Sequence, residues 1–536
     1  MNMVNKRIIP RLDIKGPNLV KGVQLEGLRA LGKAEYFARY YYKQGADELI
    51  YQDVVATLYG RNSLLNMIEN ISKEIFIPLT VGGGIRSLKD IRQALSSGAD
   101  KVALNTAVVA DPELINQAAK QFGSSTIVVS IEAKKMPDGT YQVFTDNGRE
   151  PRGINVLQWA AEAANRGAGE ILLISIDRDG TGLGFDIELI KSVSQAVKVP
   201  VIASGGAGSV EHIHKALLDG EADAVAPASV LHYGCIEEYD RPEETGVNES
   251  QEGNYDFIKQ KRGYAKITPC RFSDLRKNNR TEPDSENFYI NNGTPQTIKK
   301  ADSDLKKKQH APMAAIIDYE MGNLFSVKAA CIKVGLQTRL CQTPESLNQA
   351  AGIIIPGVGA FGNAMSALKK TGMDLAIKDA AKQGVSILGV CLGMQLLMEQ
   401  SEEFGITEGL GLISGSVRHI GNNNPKENGQ FLRQPLKVPH IGWNFINESG
   451  TWQKSLLESV NNKSYMYFVH SFHAEPVYSE HILCTTQYGD KIFCSGVKKE
   501  NITGFQFHPE RSGEKGLIVY KNFLNQIQKS KKIFNL

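Results

Sequence analysis

Residues 76–85 read FIPLTVGGGI and residues 201–208 read VIASGGAG, and each segment is an apolar run that ends in glycines. The glycine pair Gly82-Gly83 recurs 123 residues later as Gly205-Gly206. The pair that ends the next apolar run, Asn105-Thr106, recurs at the same offset as Ala228-Ser229. Recurrence at a fixed offset indicates an internal repeat. We therefore expect two similar halves, each with a similar site.

From residue 7 onward, short apolar runs alternate with longer helix-like stretches. The predicted strands are eight in number: 7–14, 48–54, 77–81, 101–104, 126–131, 170–176, 199–203 and 222–226. Because eight parallel strand and helix units are the number that closes on itself, the pattern predicts an α/β fold of the (β/α)₈ TIM barrel type. An open doubly wound sheet fits eight units less well.

The composition excludes several classes of protein. The chain has 536 residues, 51 glycines, 20 prolines and a net charge of +3. This length predicts two to four domains, and so small a charge argues against a nucleic-acid partner. The seven cysteines are odd in number and form no Cys-x-x-Cys pair, so we expect a reducing compartment and no metal site. With no signal peptide or membrane-spanning run in the sequence, we expect a cytoplasmic protein without membrane contact.

The polarity of the chain divides it into three parts. Residues 1–278 hold the predicted barrel, including an acidic loop at 237–253 and an apolar stretch at 254–278 that we expect to close it. Residues 279–312 are polar and contain three prolines and a lysine cluster, a composition typical of a linker. Residues 313–536 begin a second α/β pattern, long enough for its own core.

A cysteine of the second part has the surroundings of a nucleophile. GVCLG (389–393) follows the apolar strand 385–388 and precedes a helix-like stretch at 394–400. Flanking glycines permit a sharp strand-to-helix turn, and a helix amino terminus favours a thiolate at Cys391. A buried cysteine is more often a small apolar residue, so this motif alone decides little.

A histidine and a carboxylate follow in FQFHPE (505–510). His508 can take the thiol proton, and Glu510 can orient the imidazole, as a Cys-His-Glu triad requires. PGVG (356–359) is a flexible strip that can present an N–H to an oxyanion. Together these elements predict an acyl-transfer site, although His-Pro-Glu alone is usually a turn.

The second part resembles the class I (triad) glutamine amidotransferase subunit of imidazole glycerol phosphate synthase. The resemblance rests on PGVGAFG (356–362), GVCLGMQLL (389–397), HIGWN (440–444), YFVHSFH (467–473) and FQFHPERSG (505–513). It implies a fold of that class, with Cys391 attacking glutamine to release ammonia. It also implies that Gln395 and Gly359 bind substrate. Glu320 departs from the small residue usual there.

The first part resembles the cyclase subunit of the same enzyme through RIIPRLDIKG (7–16), FIPLTVGGGI, GADKVALNTA (98–107) and VIASGGAG. Glycines at strand ends let backbone N–H groups approach phosphate oxygens. Two cradles are expected, one from Gly83, Gly84, Asn105 and Thr106, the other from Gly205, Gly206, Ala228 and Ser229. Two cradles suit a ligand with two phosphates, such as the family's bis-phosphorylated ribotide. A single glycine cluster could equally be a tight turn.

Two carboxylates end opposite strands of the predicted barrel. Asp13 lies at the end of strand 1 and Glu132 at the end of strand 5, an arrangement suited to general acid and base work. The resemblance assigns those roles to them, and substrate binding to Lys21 and Asp179. Glu132 departs from the usual aspartate. Arg11 departs from the usual cysteine, and strand alternation points it toward Asp13, where it could lower both carboxyl pKa values or narrow an ammonia path.

Four charged residues open barrel strands at the opposite face: Arg7, Glu48, Lys101 and Glu170. Such residues are usually a solvated rim, but two cations and two anions at one rim also suit a gate. The resemblance implies that ammonia enters the barrel there. It also implies a salt bridge between Asp100 and Arg511 that joins the two domains.

Three hypotheses remain open at this level. The first is a single-chain imidazole glycerol phosphate synthase that uses glutamine and a bis-phosphorylated ribotide, without a cofactor. The second is a paralogue that supplies ammonia to an acceptor enzyme for sugar amidation in surface polysaccharide synthesis, which the stretch RLDIKGPNLVKG (11–22) and Glu132 favour. The third is a scaffold that binds a phosphosugar without catalysis, which would require an unreactive Cys391.

Overall fold

The computed structural model describes residues 6–55, 63–238, 266–276, 312–319, 323–421, 426–427, 430–431 and 436–530. The predicted linker, apart from Pro312, lies outside the described residues, as do Glu320 and most of the predicted acidic loop. Within the described part, no helix is both long and apolar enough to cross a membrane.

The first part is a barrel of parallel strands, as the repeat predicts. Its strands, in chain order, are Arg7–Ile8 with Arg11–Lys15, Leu49–Asp53, Leu79–Gly82, Lys101–Leu104, Ile127–Lys135, Glu170–Ser175, Val201–Ser204 and Ala224–Ala226. The two pieces of the first strand close the barrel, because Arg7–Ile8 pairs with the last strand and Arg11–Lys15 pairs with the second. The predicted (β/α)₈ fold is therefore confirmed.

Helices surround these strands: Ala34–Lys43, Ser63–Ser72, Leu88–Ser96, Thr106–Ala110, Glu113–Phe122, Val156–Arg166, Ile187–Ala196, Val210–Leu218, Ser229–Glu238 and Phe272–Arg276, with a 3₁₀ turn at Ser124–Thr126. Phe272 and Leu275 join the barrel core, so the described end of the stretch 254–278 packs on the barrel as expected.

The internal repeat is visible in backbone geometry, with one correction to its register. Gly83 and Gly84 have φ angles of 98° and 71°, and Gly205 and Gly206 have 94° and 106°. Ser87 and Ser209 then cap the following helices by accepting backbone N–H groups. These equivalences run at an offset of 122, not 123, because Gly82 is the last residue of its strand whereas Gly205 follows Ser204.

Two antiparallel hairpins rise from the carboxyl ends of the barrel strands. One is formed by Asn18–Val23 and Glu26–Lys33, and the other by Tyr141–Thr145 and Glu150–Asn155. Leu25, Phe144 and Ile176 form a small apolar cluster between them. The hairpins therefore pack together over the carboxyl-terminal face of the barrel.

The second part is built on an eight-stranded sheet. Its strand order is Gln337–Cys341, Met313–Ile317, Gly352–Ile355, Ser386–Val390, Ile502–Phe505, Lys491–Lys499, Ile482–Tyr488 and Asn447–Glu448. The first five strands are parallel and the last three pair antiparallel. A four-stranded sheet lies beside it, formed by Thr407–Glu408, Met398–Ser401, Ile413–His419 and Phe472–Pro476. Two smaller pairs complete the strands: His440–Phe445 with Tyr465–His470, and Lys426–Glu427 with Gln430–Phe431.

The helices of this part are Leu324–Lys333, Phe361–Thr371, Met373–Lys382, Leu392–Leu396 and Gly513–Lys529, with 3₁₀ turns at Pro344–Leu347, Ser479–His481 and Pro509–Arg511. The helix expected over 394–400 is shorter than expected and ends at Leu396. Its last residues instead form the strand Met398–Ser401, which pairs with Ile413–His419, because that sheet supplies backbone partners the helix end lacks.

The two parts share an apolar interface. Ile441, Trp443 and Tyr467 of the second part belong to the barrel's own core cluster. Conversely, Phe76 of the barrel belongs to a core cluster of the second part. Trp443 also donates its indole N–H to the carbonyl of Asp47 at 2.9 Å. The amino-terminal rim of the barrel is thus covered by the second part.

Candidate active sites

Cys391 lies at a strained turn between the strand Ser386–Val390 and the helix Leu392–Leu396. Its φ of 51° is in the left-handed region, which a residue with a side chain adopts at a cost. The turn is close-packed: a Cβ at Gly393 would lie 1.7 Å from the carbonyl oxygen of Ile355. Gly393, two residues after the cysteine, is therefore needed for the turn, as the elbow motif predicts.

His508 and Glu510 lie just beyond the strand Ile502–Phe505, which pairs beside the strand that ends at the cysteine. His508 Nδ1 is 2.7 Å from Glu510 Oε1, and Tyr520 donates to the other oxygen at 3.1 Å. Burial by itself would lower the pKa of His508, but Cys391 and Glu510 hold it well above its usual range. The site therefore favours an imidazolium beside the sulfur.

Two glutamines connect the cysteine to the rest of this site. Gln506 Nε2 lies 3.6 Å from Cys391 Sγ, and Gln395 donates to Gln506 Oε1 at 3.2 Å and to the carbonyl of Phe472 at 2.9 Å. Gln395 was expected here, whereas the sequence interpretation missed Gln506 and Tyr520. Gln506 stands inside the FQFHPE motif, two residues from His508 on the same strand edge, so alternation along that edge is a signal that could have found it.

The predicted oxyanion strip lies against the nucleophile. The backbone N–H of Leu392, which follows the cysteine, donates to the carbonyl of Gly357 at 3.3 Å. Tyr319 donates to the carbonyl of Pro356 in the same strip, and Gly359 has a φ of 127°. In this arrangement the Leu392 N–H is occupied by protein, so it is not available to an oxyanion until the strip moves.

A cavity lies between the two parts of the chain. Its lining includes His508 and Glu510 of the glutaminase-like site and Lys101 of the predicted gate, together with Val469 and Tyr467. The cavity thus borders both the site around Cys391 and the amino-terminal rim of the barrel.

The four predicted gate residues are brought together into a closed ring of ion pairs. Arg7 bonds Glu48 at 2.8 Å and Glu170 at 2.6 Å, and Lys101 bonds each of the same two carboxylates at 2.6 Å. All four side chains are at most 2% exposed, so they are not a solvated rim. Tyr467 of the second part donates to Glu48 at 3.2 Å and was not predicted.

At the other end of the barrel axis, Asp13 is held by two cations. Arg11 Nε donates to Oδ1 at 2.8 Å, and Lys21 Nζ lies 3.2 Å from Oδ2. Lys21 also bonds Asp179 at 2.8 Å. Burial by itself would raise the pKa of Asp13, but Arg11 and Lys21 hold it below its usual range.

Glu132 lies in a different environment. Its Oε2 accepts the backbone N–H of Gly148 at 2.7 Å, at the tip of the second hairpin. Burial raises the pKa of Glu132 to about 7, against smaller opposing effects of Gly148 and Arg11. Arg11 therefore lowers the pKa of both carboxylates, as expected, but it pairs only with Asp13, and at Glu132 the effect of burial is larger.

The predicted phosphate cradles consist of glycine backbone and helix amino termini. A Cβ at Gly83 would lie 2.2 Å from the carbonyl oxygen of Asp53, and one at Gly206 would lie 2.2 Å from that of Gly184. Helices begin at Thr106 and, directly after Ala228, at Ser229. Asn105 Oδ1 is buried without a hydrogen-bond partner in the described part. Helix amino termini with close-packed glycines favour anions.

Asp100 and Arg511 join the two parts, as the resemblance implies. Arg511 Nε donates to Asp100 Oδ1 at 2.9 Å, and its other nitrogens donate to the carbonyls of Gly98, Ile75 and Ile77. Arg511 is 2% exposed. Among the described residues no group of three or more His, Cys, Asp or Glu side chains could hold a metal ion.

Comparisons with known proteins agree with this division. Residues 7–237 match the family described as Histidine biosynthesis protein, and residues 315–527 match Glutamine amidotransferase class-I. The chain is 57% identical over 212 residues to the imidazole glycerol phosphate synthase subunit HisF of Legionella pneumophila, covering 40% of this chain and 100% of that protein. It is 48% identical over 234 residues to the subunit HisF of Alkaliphilus metalliredigens (strain QYMF), covering 44% of this chain and 93% of that protein.

Proposed function

The chain belongs to the family of the imidazole glycerol phosphate synthase subunit HisF, fused to a class I glutamine amidotransferase domain, and on that premise we propose that it couples glutamine hydrolysis to cyclisation. Residues 313–536 hydrolyse glutamine, the linker 279–312 joins the halves, and residues 1–278 use the ammonia. The products are imidazole glycerol phosphate and aminoimidazole carboxamide ribotide, as in histidine biosynthesis.

In the glutaminase half, Cys391 attacks the side-chain amide of glutamine. His508 takes the thiol proton and gives it to the departing ammonia, and Glu510 stabilises the imidazolium. The ion pair between His508 and Glu510 and the contact of Gln506 with Cys391 support these roles. Gln395 and Gly359 bind the glutamine.

Ammonia then passes from the interdomain cavity through the ring of Arg7, Glu48, Lys101 and Glu170 into the barrel. Six residues separate Arg7 from Asp13, or about 20 Å of strand, so the barrel axis is the path. The single observation that carries the proposal is that one cavity borders both His508 and Lys101.

The ribotide is held by its two phosphates in the two glycine cradles, one with Gly83, Gly84, Asn105 and Thr106, the other with Gly205, Gly206, Ala228 and Ser229. Lys21 and Asp179 contact the part of the ligand that lies between the two phosphates, near Asp13 and Glu132.

The test compares glutamine and ammonium chloride as nitrogen sources for the purified chain. Cys391→Ser lowers glutamine-dependent product formation by at least about a thousandfold and leaves ammonia-dependent formation unchanged. Cys341→Ser, a change at a buried cysteine outside the site, is the control. A chain that hydrolyses glutamine but forms no imidazole glycerol phosphate from either nitrogen source would contradict the proposal.

The ion pair between Arg11 and Asp13 favours a second candidate, in which the ammonia goes to an acceptor enzyme for sugar amidation. Growth of a histidine auxotroph that carries this chain as its sole cyclase argues against the second candidate. Growth obtained only with Arg11→Cys and Glu132→Asp supports it.

A further inference from the structure

The residue that most changes the chemistry of the barrel is Arg11. Ile9, two residues before Arg11, belongs to the apolar cluster inside the barrel. Leu12 and Ile14 belong instead to the core between the strands and the surrounding helices. Side chains alternate along a strand, so Arg11 and Asp13 point inward. The side chain of Arg11 is 2% exposed. Its Nη1 donates to Oγ of Ser204, the last residue of the strand Val201–Ser204, at 3.3 Å.

The carboxylate of Asp13 is occupied on both oxygens. Arg11 Nε takes Oδ1, and Lys21 Nζ takes Oδ2. All three side chains are at most 3% exposed. A proton on Asp13 would remove the negative charge that faces two buried cations, Arg11 and Lys21, which is strongly unfavourable.

Glu132 has no such restraint. Among the residues that the structure describes, no lysine or arginine nitrogen lies within ion-pair distance of its carboxylate, and Gly148 N–H is a neutral donor. The charged groups that face it are Arg11 from the first strand and Asp146 from the hairpin tip, the latter paired with Arg152 at 3.1 Å. Glu132 can therefore exist in either protonation state without leaving a cation unpaired.

We propose that Arg11 is a positioning residue that withdraws Asp13 from proton transfer and leaves Glu132 as the single proton carrier of the barrel. The inference rests on the proposed function, in which ammonia attacks the ketone of the bound ribulosyl group. Each of the two protons that leave the nitrogen is taken by the Glu132 carboxylate in turn and returned to the ketone oxygen, which departs as water.

The pKa of Glu132, which burial raises to about 7, suits a group that both takes and gives a proton near neutral pH. The lowered pKa of Asp13 keeps it ionised there. In this role Asp13 supplies a fixed negative charge that holds Arg11 and Lys21 in place.

The first experiment records the pH dependence of product formation with ammonium chloride, after correction for the fraction present as ammonia. The full chain shows one ionisation near neutrality. Glu132→Gln lowers the rate by about 100-fold or more and removes that ionisation. Asp13→Asn lowers the rate by the same factor at every pH, and the ionisation near neutrality remains in the profile. Glu162→Gln, the same change on the outer helix Val156–Arg166, leaves the profile unaltered.

The second experiment does not depend on turnover. The side-chain carboxyls of the full chain are labelled with ¹³C, and the signals that vanish in Asp13→Asn and in Glu132→Gln assign the two groups. Between about pH 5 and about pH 9 the Glu132 signal titrates and the Asp13 signal does not. Arg11→Cys moves the Asp13 midpoint upward by about one unit or more, and Arg11→Lys restores the original value.

The two experiments separate the possible failures. If the full chain forms no product, the proposed function fails and the proton-carrier role of Glu132 fails with it, while the carboxyl titrations still decide whether Arg11 keeps Asp13 ionised. If product forms but Asp13 titrates near neutrality, or Glu132 does not, the inference is wrong and the proposed function stands. Should Arg11→Cys fail to fold, Arg11→Lys and the titrations of the two assigned carboxyls in the full chain still show which of Asp13 and Glu132 titrates near neutrality.

Discussion

At the residue scale, the chemistry of this chain depends on which charges stand next to each buried titratable group. His508 and Glu132 are both buried, and burial by itself moves each toward its neutral form. His508 has Glu510 within 2.7 Å and remains charged, whereas Glu132 is bonded only by neutral donors, the backbone N–H of Gly148 and the side chain of Asn105. The charges in contact with each group, Cys391 and Glu510 for His508, therefore decide whether burial leaves it neutral.

This difference predicts the effect of Glu510→Gln on the glutaminase site. Without the carboxylate, the pKa of His508 falls because one of the two groups that raise it is gone, and the imidazolium that stabilises a Cys391 thiolate becomes less stable. The onset of Cys391 alkylation by iodoacetamide therefore moves to higher pH by about one unit or more. Alkylation is measured by mass spectrometry of the peptide.

Glu514→Gln is the control for this prediction, because Glu514 is exposed on the helix Gly513–Lys529 close to the site. An unchanged alkylation profile in Glu510→Gln would show that Glu510 does not control the protonation of His508.

At the scale of elements, the ring of ion pairs is made by the starts of barrel strands. The strands that begin at Arg7, Lys101 and Glu170, and the residue before the strand Leu49–Asp53, place four charges at one level of the barrel. Because parallel strands present equivalent ends at one rim, residues far apart in the chain meet there. The ring is therefore a property of strand register.

Lys101→Met tests the ring. It leaves Glu48 and Glu170 facing each other with Arg7 as their remaining cation, and both carboxylates are fully buried. We expect the free energy of unfolding to fall by about 3 kcal/mol, as for other buried charge pairs that lose a partner. Chemical denaturation followed by circular dichroism measures the change.

The second readout is the ratio of imidazole glycerol phosphate formed to glutamine hydrolysed, which falls if the ring guides ammonia. Lys89→Met, at an exposed position of the helix Leu88–Ser96, is the control and changes neither quantity. A stable Lys101→Met chain with an unchanged ratio would exclude a role for Lys101 in ammonia transfer.

At the scale of the whole molecule, the two catalytic parts are joined by a buried polar contact set inside an apolar interface. Arg511 reaches Asp100 and three backbone carbonyls of the barrel, and Asn323 donates to the same Asp100 oxygen at 3.0 Å. Trp443 fixes the other side of the interface. These contacts fix the orientation of the site around Cys391 relative to the ring of Arg7, Glu48, Lys101 and Glu170.

Arg511→Met removes the donors while keeping much of the side-chain volume, and it leaves Asp100 and the carbonyls without their bonds. We expect the equilibrium constant for association of the barrel with the second part of the chain to fall by about 100-fold. Calorimetry then shows two separated unfolding transitions where the natural chain shows a more cooperative one, and product per glutamine falls. Arg418→Met, at a half-exposed arginine of the second part, leaves both measurements unchanged.

The sequence by itself determined the features that follow from local backbone rules. Strand starts and ends, the repeated glycines at strand ends and the cysteine elbow are each encoded within a few residues, because pleat periodicity and the steric freedom of glycine act locally. For this reason the barrel, the two cradles and the positions of Cys391, His508 and Glu510 could all be predicted from the printed sequence.

Only the tertiary structure decided the partners of the buried side chains. It paired Arg11 with Asp13 and left Glu132 on Gly148, it brought Lys21 to Asp13 and Asp179, and it placed Gln506 beside Cys391. Long side chains have several allowed rotamers, and the one adopted depends on which residues the closed barrel and the domain interface bring within about 3 Å. Local sequence specifies which residues face inward, and the packing of the whole chain specifies which of them meet.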